Sequence, residues 1–344
     1  MNTINVALVS PFSSGPTRGN MTTVRRIADN LAKTGCRVTQ LSLDTLQPKE
    51  LQLLMSQIRP DLLHAFHAHH GGPTARSLAR ELGIPYLVTI TGSDLFDPDL
   101  LSDLSTGRAI VDASAVTCFD PLIAQHLAGV FPEVAGMIAV IPQGVTPLPV
   151  NEPFPRKDEE FIVLLPAAIR PVKGITSAIE ALTPLAAEFP FMRLLLAGGN
   201  LDPLYAAGIK KMIAALPFVH MLGEVPHQLI GNLLAASDLV LNCSLFEGGM
   251  ANTLLEAMVM CRPVLARNVL GNRSLISHGK TGWLYNNDEE LRESVRMILL
   301  NPGLGIEMGE AGRNFVQECC STAKEAERYR EVYVQVLAGC GKLA

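Results

Sequence analysis

Short runs of Leu and β-branched residues alternate along the chain with longer stretches whose apolar positions recur every three or four residues. The first run, Ile4–Ser10, is followed by Val24, Ile27 and Leu31 at helical spacing, which predicts a strand and then an amphipathic helix. The cycle repeats with strands at 38–43, 61–66, 86–90, 115–119 and 138–141, each separated from the next by a helix-length segment. Strands that alternate with helices predict a parallel, doubly wound sheet. Between Pro142 and Pro155 the pattern breaks, and prolines at 142, 147, 149, 153 and 155 disfavour a continuous helix or a central strand there. A second series then opens at 161–165 and continues at 193–197, 219–222, 239–242 and 263–266, and a helix is predicted from Thr322 to about Leu337. The expected fold class is α/β, with two doubly wound Rossmann-like domains facing a central cleft. The first spans 1–146, a linker 147–160 and the second 161–321, while 322–344 forms a terminal helix packing back toward the first domain.

Length and composition support this division. A chain of 344 residues exceeds the usual single core, and 48% hydrophobic with 18% charged residues is the balance of a folded protein. The formal net charge of -5 divides near residue 150 into about -2 and -3, so neither half carries the basic footprint of a nucleic-acid binder. Seven cysteines form no CxxC pair and leave one unmatched, which fits a reducing cytoplasm better than a disulfide framework or a zinc cluster. The opening MNTINVALVS lacks the cationic stretch and apolar run of a signal peptide, and no window reaches the roughly 18 apolar residues of a transmembrane helix. Arg25, Arg26 and Lys33 on the first helix raise peripheral membrane contact as an alternative, but overall acidity weighs against it.

In open parallel sheets ligands bind beyond the carboxyl ends of the strands, and the unusual residues collect there. After the first strand, PFSSGPTRGNMTT is a glycine-rich loop entering a helix near Thr22, where free backbone N–H groups suit a phosphate or polar ligand. It lacks both GxGxxG and GK[ST], so a plain surface loop is its alternative reading. After the third strand, HAFHAHHGG brings His64, His67, His69 and His70 within seven residues. A metal site is one reading, but Gly71 and Gly72 stand where the Asp of an HxHxDH run would be, and no later constellation completes it. His64 is expected within the strand and His67 is equally a structural candidate, while His69 and His70 reach the loop and could hydrogen-bond a substrate. The fourth strand ends in TITGSDLF, whose Thr91, Gly92, Ser93 and Asp94 either bind an acceptor or cap a helix. In the second half, AAIRPVKGIT places Arg170 and Lys173 where two fixed cations suit a diphosphate. SLFEGGMANTLLEAM puts Glu247 ahead of Gly248, Gly249, Met250, Ala251, Asn252 and Thr253 at a helix start, with Glu256 one turn on.

Together these motifs resemble the GT-B glycosyltransferases, and among them the retaining enzymes of family 4. The resemblance runs over nearly the whole chain, through the glycine loop, TGSDLF, IPQGV, RPVKG, LLGEVPHQLIGNLLAASDLVLNCSLFEGG, NTLLEAM, RPVLARNVLGN and HGKTGWLY. The TG[ST]D form, the GNxxT loop and Leu201-Asp202-Pro203 are similar to a narrower branch containing glycosyltransferase-1-domain-containing proteins and selenosugar synthases. The resemblance implies that Arg170, Lys173 and Glu247 are catalytic, and that Gly19, Asn20, Gly248 to Thr253 and Glu256 bind the donor, with Glu256 at the ribose. It further implies that Arg18, His69, Thr91, Gly92, Ser93 and Asp94 meet a small polar or anionic acceptor. The nucleotide sugar is a co-substrate; no cofactor and no metal are expected. Two departures stand out: eight residues separate Glu247 from Glu256 where the family has seven, and Thr91 replaces the His of HGxD. The reading is retaining hexosyl or N-acetylhexosaminyl transfer from a UDP-sugar. An epimerase, a phosphorylase or a noncatalytic nucleotide-sugar sensor of the same fold are the alternatives.

Overall fold

The computed structural model describes residues 3–14, 19–152 and 154–341. Arg18, expected at the acceptor, lies outside them. The first half runs β1 (Ile4–Ser10), α1 (Gly19–Leu31), β2 (Cys36–Ser42), α2 (Pro48–Ile58), β3 (Leu62–Phe66), α3 (Gly72–Leu82) and β4 (Tyr86–Thr89). It continues with α4 (Ser93–Phe96), α5 (Pro98–Leu101), α6 (Leu104–Val111), β5 (Ala115–Cys118), α7 (Pro121–Val130) and β6 (Ile138–Val140). These six strands form one parallel sheet in the order β2-β1-β3-β4-β5-β6.

The second half runs β7 (Phe161–Pro166), α8 (Ile175–Glu188), β8 (Met192–Ala197), α9 (Pro203–Ile213), β9 (Val219–Gly223), α10 (His227–Ala236) and β10 (Leu239–Asn242). Then come α11 (Asn252–Val259), β11 (Val264–Arg267), α12 (Leu270–Arg273), β12 (Trp283–Tyr285), α13 (Asp288–Leu300), α14 (Pro302–Cys319) and α15 (Thr322–Gly339). Its sheet is also parallel, ordered β12-β11-β10-β7-β8-β9. This is the GT-B arrangement of two Rossmann-like domains across a cleft. No helix among the described residues is long and apolar enough to cross a membrane.

Both sheets are covered on both faces, which is why their strands are near-continuous apolar runs. Leu63 and Ala65 of β3 face one core while Leu62 and Phe66 face another; Val163 and Leu165 of β7 are divided in the same way from Ile162 and Leu164. α15 carries Tyr329, Tyr333 and Leu337 into the core of the first half, against α1. There the Tyr333 hydroxyl meets His64 Nδ1 at 2.7 Å, and Thr89 Oγ1 meets the ring's Nε2 at 2.6 Å. Complete burial pushes the His64 pKa down to about 3, so this imidazole is neutral and part of the core.

Two local expectations differ. α1 begins at Gly19 rather than near Thr22, so Gly19 and Asn20 belong to its first turn. The short β12 has no counterpart in the predicted strands. Each sheet has one switch point, between β1 and β3 and between β7 and β10, and the loops leaving those four strands face one another across the cleft.

Candidate active site

The cleft encloses about 300 Å³, a volume in the range of small-ligand pockets. The first half contributes Phe12, Gly19, Asn20, Thr23, His67, His70, Thr91, Gly92, Ser93, Phe119 and Gln143. The second contributes Arg170, Lys173, Glu224, Val225, His227, Asn242, Ser244, Glu247, Gly248, Gly249, Ala251, Asn252, Thr253 and Glu256.

On the first wall, Ser13 and Ser14 are pinned by Asp44, whose carboxylate accepts from both backbone N–H groups and from the Ser14 hydroxyl at 2.7 Å. Both side-chain amide atoms of Asn20 are buried without a hydrogen-bond partner among the described residues. His67 has a left-handed backbone, φ 72°. Its Nδ1 accepts from the His70 N–H at 3.3 Å, which in the neutral ring leaves the proton on Nε2, 2.8 Å from Ser93 Oγ. Burial lowers the His67 pKa, and the nearby charges of His69 and of Arg170 on the opposite wall act in the same direction against Asp94. Among the described residues no group of three or more His, Cys, Asp and Glu side chains converges as a metal site.

Two residues expected at the acceptor sit elsewhere. Asp94 is fully buried, and its carboxylate accepts from the N–H groups of Ala68, Thr91 and Gly92 at 2.7 to 3.2 Å. Those bonds fix the TGSD turn and leave the carboxylate no access to a ligand, so of the two readings of Asp94 the geometry favours the structural one. His69 turns away to Thr106 Oγ1 at 2.9 Å and Asp103 at 3.6 Å, and does not line the cleft; His70 does.

On the second wall, the Lys173 ammonium donates to Glu247 Oε1 at 2.7 Å and to Ser244 Oγ at 3.0 Å, while Asn242 Nδ2 reaches the same Glu247 oxygen at 3.2 Å. Burial favours the neutral acid, yet the Lys173 charge and these hydrogen bonds outweigh it and hold the Glu247 carboxyl below its usual range. The eight residues between Glu247 and Glu256 are accommodated by consecutive left-handed residues, Gly249 at φ 94° and Met250 at φ 48°. A Cβ on Gly248 would stand 2.4 Å from the Thr91 carbonyl, and one on Gly249 2.2 Å from Asp120 Oδ2. The EGG loop is thus pressed against the TGSD turn and the Asp120 carboxylate, and only glycine allows the approach. Asp120 caps α7, accepting from the N–H groups of Leu122 and Ile123. Its Oδ2 is buried, and burial raises its pKa.

Asn252, assigned to the donor by resemblance, spends its amide on α1. Its Nδ2 donates to Gly19 O at 3.0 Å and Thr23 Oγ1 at 2.9 Å, and its Oδ1 accepts from Arg26 at 3.0 Å. Arg26 also donates to Gln143 at 2.7 Å and, through two bonds of 2.9 Å, to Glu325 of α15. Gln143 in turn donates to Met250 O at 2.7 Å. Gly248, Gly249, Ala251, Asn252 and Thr253 still line the cleft, whereas Met250, also expected at the donor, is buried in the core beside Gln143. Sequence reasoning missed Gln143, Asp120 and His227. Gln143 lay within the quoted IPQGV and Asp120 just before a helix-starting proline, but nothing local marked either as facing the other domain.

The family of group 1 glycosyl transferases matches residues 150–315, and that of glycosyl transferase 4-like proteins matches residues 2–114. Glycosyltransferase 1 domain-containing protein 1 of Xenopus tropicalis is 24% identical over 332 residues, covering 92% of this chain and 94% of that protein. A trehalose synthase of Pyrococcus horikoshii is 30% identical over 193 residues, covering 54% of this chain and 46% of its own. Among solved structures, sucrose-phosphate synthase from Thermosynechococcus elongatus superposes with a TM-score of 0.83 at 20% identity, covering 98% of this chain and all of that one. Anabaena HepE in complex with UDP-glucose superposes at 0.75 with 18% identity, covering 96% and 100%.

Proposed function

We propose that this chain, which has the GT-B fold and matches the group 1 and 4-like glycosyl transferases over residues 150–315 and 2–114, transfers a sugar from a nucleotide sugar, a UDP-sugar first, to a small polar acceptor. One observation carries the reading: Arg170 and Lys173 at the end of β7 face the start of α11 across the switch point of the second sheet. Two cations and a helix N-terminus at one place suit a diphosphate leaving group. HepE, which shares the fold, binds UDP-glucose in its crystal.

In this reading the diphosphate takes up the Lys173 ammonium now held by Glu247 and Ser244, and Glu247 with the Gly248–Gly249 backbone turns to the sugar. The bond between the anomeric carbon and the diphosphate breaks while the acceptor oxygen attacks from the same face, its proton passing to a donor phosphate oxygen. Catalysis comes from stabilising the departing diphosphate and from positioning. The first wall fits a mechanism without a protein base: Asp94 is buried in backbone hydrogen bonds, and His67 holds its proton toward Ser93. Phe12, His70, Thr91 and Ser93 are the groups an acceptor would meet.

The test is a thermal-shift panel of UDP-, GDP- and ADP-sugars, followed by mass spectrometry of products formed with small hydroxylated and anionic acceptors. Stabilisation by a nucleotide sugar and a product heavier than the acceptor by one glycosyl unit are expected. Donor isomerised without acceptor would point instead to an epimerase, and binding without turnover to a sensor.

A further inference from the structure

We infer that His227 is a positioning residue for Glu256, holding its carboxylate ready for the ribose hydroxyls of the nucleotide; the inference rests on the nucleotide-sugar reading above. His227 is the first residue of α10, and its Nε2 lies 2.7 Å from Glu256 Oε1 on α11. Both residues line the cleft. Glu256 itself is 8% exposed, and no hydrogen bond among the described residues engages its second oxygen, Oε2.

Helix stability does not account for the pairing. A cationic imidazole at a helix N-terminus opposes the macrodipole. The groups that face it are Glu256 on α11 and Arg25 and Arg26 on α1, and the two arginines disfavour a further positive charge. Even so, the hydrogen bond to Glu256 outweighs burial and those repulsions and raises the pKa of the imidazole above the usual range. A half-exposed histidine is thus committed to one oxygen of a nearly buried carboxylate at the edge of the cleft, and the second oxygen carries the remaining hydrogen-bonding capacity.

The placement fits a nucleoside diphosphate. Glu256 lies four residues beyond the start of α11, about 6 Å along the helix axis. That is the order of the reach from a diphosphate at the helix N-terminus to the ribose that bears it. Val225 and Ile230, on either side of His227 in sequence, line the same cleft and offer an apolar surface to a base. A carboxylate accepting from vicinal hydroxyls must present a fixed edge, and the imidazole supplies the restraint.

The experiment measures by calorimetry the affinity of the full chain for UDP, GDP and ADP, and for the 2′,3′-dideoxy analogue of whichever binds most tightly. Wild type should prefer the ribose form by about ten- to a hundredfold, the scale of a charge-assisted hydrogen bond. His227→Ala should erase most of that preference while changing affinity for the dideoxy analogue less than about threefold. His227→Gln, which keeps a donor, should restore it, and His227→Ala should add little to Glu256→Gln. Failure of all three nucleotides to bind, or equal binding of ribose and dideoxy forms by wild type, would overturn the nucleotide or Glu256 reading and the inference with it. A wild-type preference that His227→Ala leaves intact would sink the role of His227 alone. Should the alanine variant not fold, an unchanged preference in a folded His227→Leu, or the absence of coupling between His227→Leu and Glu256→Gln, decides against it.

Discussion

Lys173 Nζ lies 2.7 Å from Glu247 Oε1, so the cation read as gripping the diphosphate and the acid read as holding the sugar are partners before any ligand arrives. Both side chains are largely buried, at 19% and 15% exposure. Lys173→Ala therefore removes the proposed phosphate contact and also strands the Glu247 carboxylate. Donor use should fall by about ten- to over a hundredfold, from a charge-assisted bond worth roughly 1.5–3 kcal/mol. Lys173→Ala in the Glu247→Gln background should cost less than the sum of the single changes. Steady-state kinetics over donor concentration checks both; unchanged kinetics in a folded Lys173→Ala protein would remove the residue from the site.

Gly249→Ala tests the approach of the two domains. The new Cβ would meet Asp120 Oδ2 at 2.2 Å on a residue with φ 94°. Left-handed strain alone costs about 1–3 kcal/mol, and the clash adds to it. Nucleotide affinity should drop at least about fivefold on that scale. Asp120→Ala should recover part of it by opening space, since only the clash and not the strain is relieved. Calorimetry on the single and double variants reads the difference, and recovery equal to zero would show that Asp120 is not the obstacle.

Arg26 is the hub joining α1, the segment after β6, α11 and α15. Its partner Glu325 is 1% exposed, so Arg26→Ala leaves a buried carboxylate unpaired. Breaking a buried pair from one side costs about 3–5 kcal/mol. The thermal midpoint should fall by several degrees, and Glu325→Gln in the same chain should return part of the loss. A midpoint within one degree of wild type, by differential scanning calorimetry, would mean that the pair contributes nothing to the folded state.

The His227–Glu256 pair carries a pH signature. Because the folded-state pKa of His227 is raised, its stabilisation is complete below the ordinary histidine value, near 6.5, and is lost as pH rises through the elevated value. The imidazole is partly exposed, so solvent screens the effect. The thermal midpoint of wild type should decline from about pH 6.5 upward more steeply than that of His227→Gln. Parallel pH profiles would show that the pair does not titrate in this window.

Retention of anomeric configuration and indifference to chelators belong together. With Asp94 and His67 engaged within the first wall and Arg170 and Lys173 placed to neutralise the leaving group, an α-linked donor should give an α-linked product, unchanged in rate by EDTA. Proton NMR of fresh product reads the anomeric coupling. An initial β-product would overturn the same-face mechanism, and loss of activity restored by one divalent ion would return His67, His69 and His70 to consideration as ligands.

The alternation of apolar runs and amphipathic stretches located eleven strands near their observed places and so determined the doubly wound class, because period and turn chemistry are local properties of the chain. It also placed Arg170, Lys173, Glu247 and the glycine loop at strand ends, and position beyond a parallel strand already implies a ligand-facing loop. What the local pattern does not encode is which loops meet. Asp94 and His69 looked like acceptor contacts by composition, yet one is consumed by three backbone N–H groups and the other turns to Thr106. Asn252 looked like a donor contact and clasps α1, 226 residues away from its Arg26 partner. Asp120 against Gly249 and Gln143 against Met250 arise only when the two sheets are packed together, and His227 against Glu256 only when α10 and α11 pack on the second sheet. Burial, competing hydrogen-bond partners and the close approach of backbones are long-range quantities, and for these residues the tertiary structure alone decided which side chains face the cleft and which hold its walls in place.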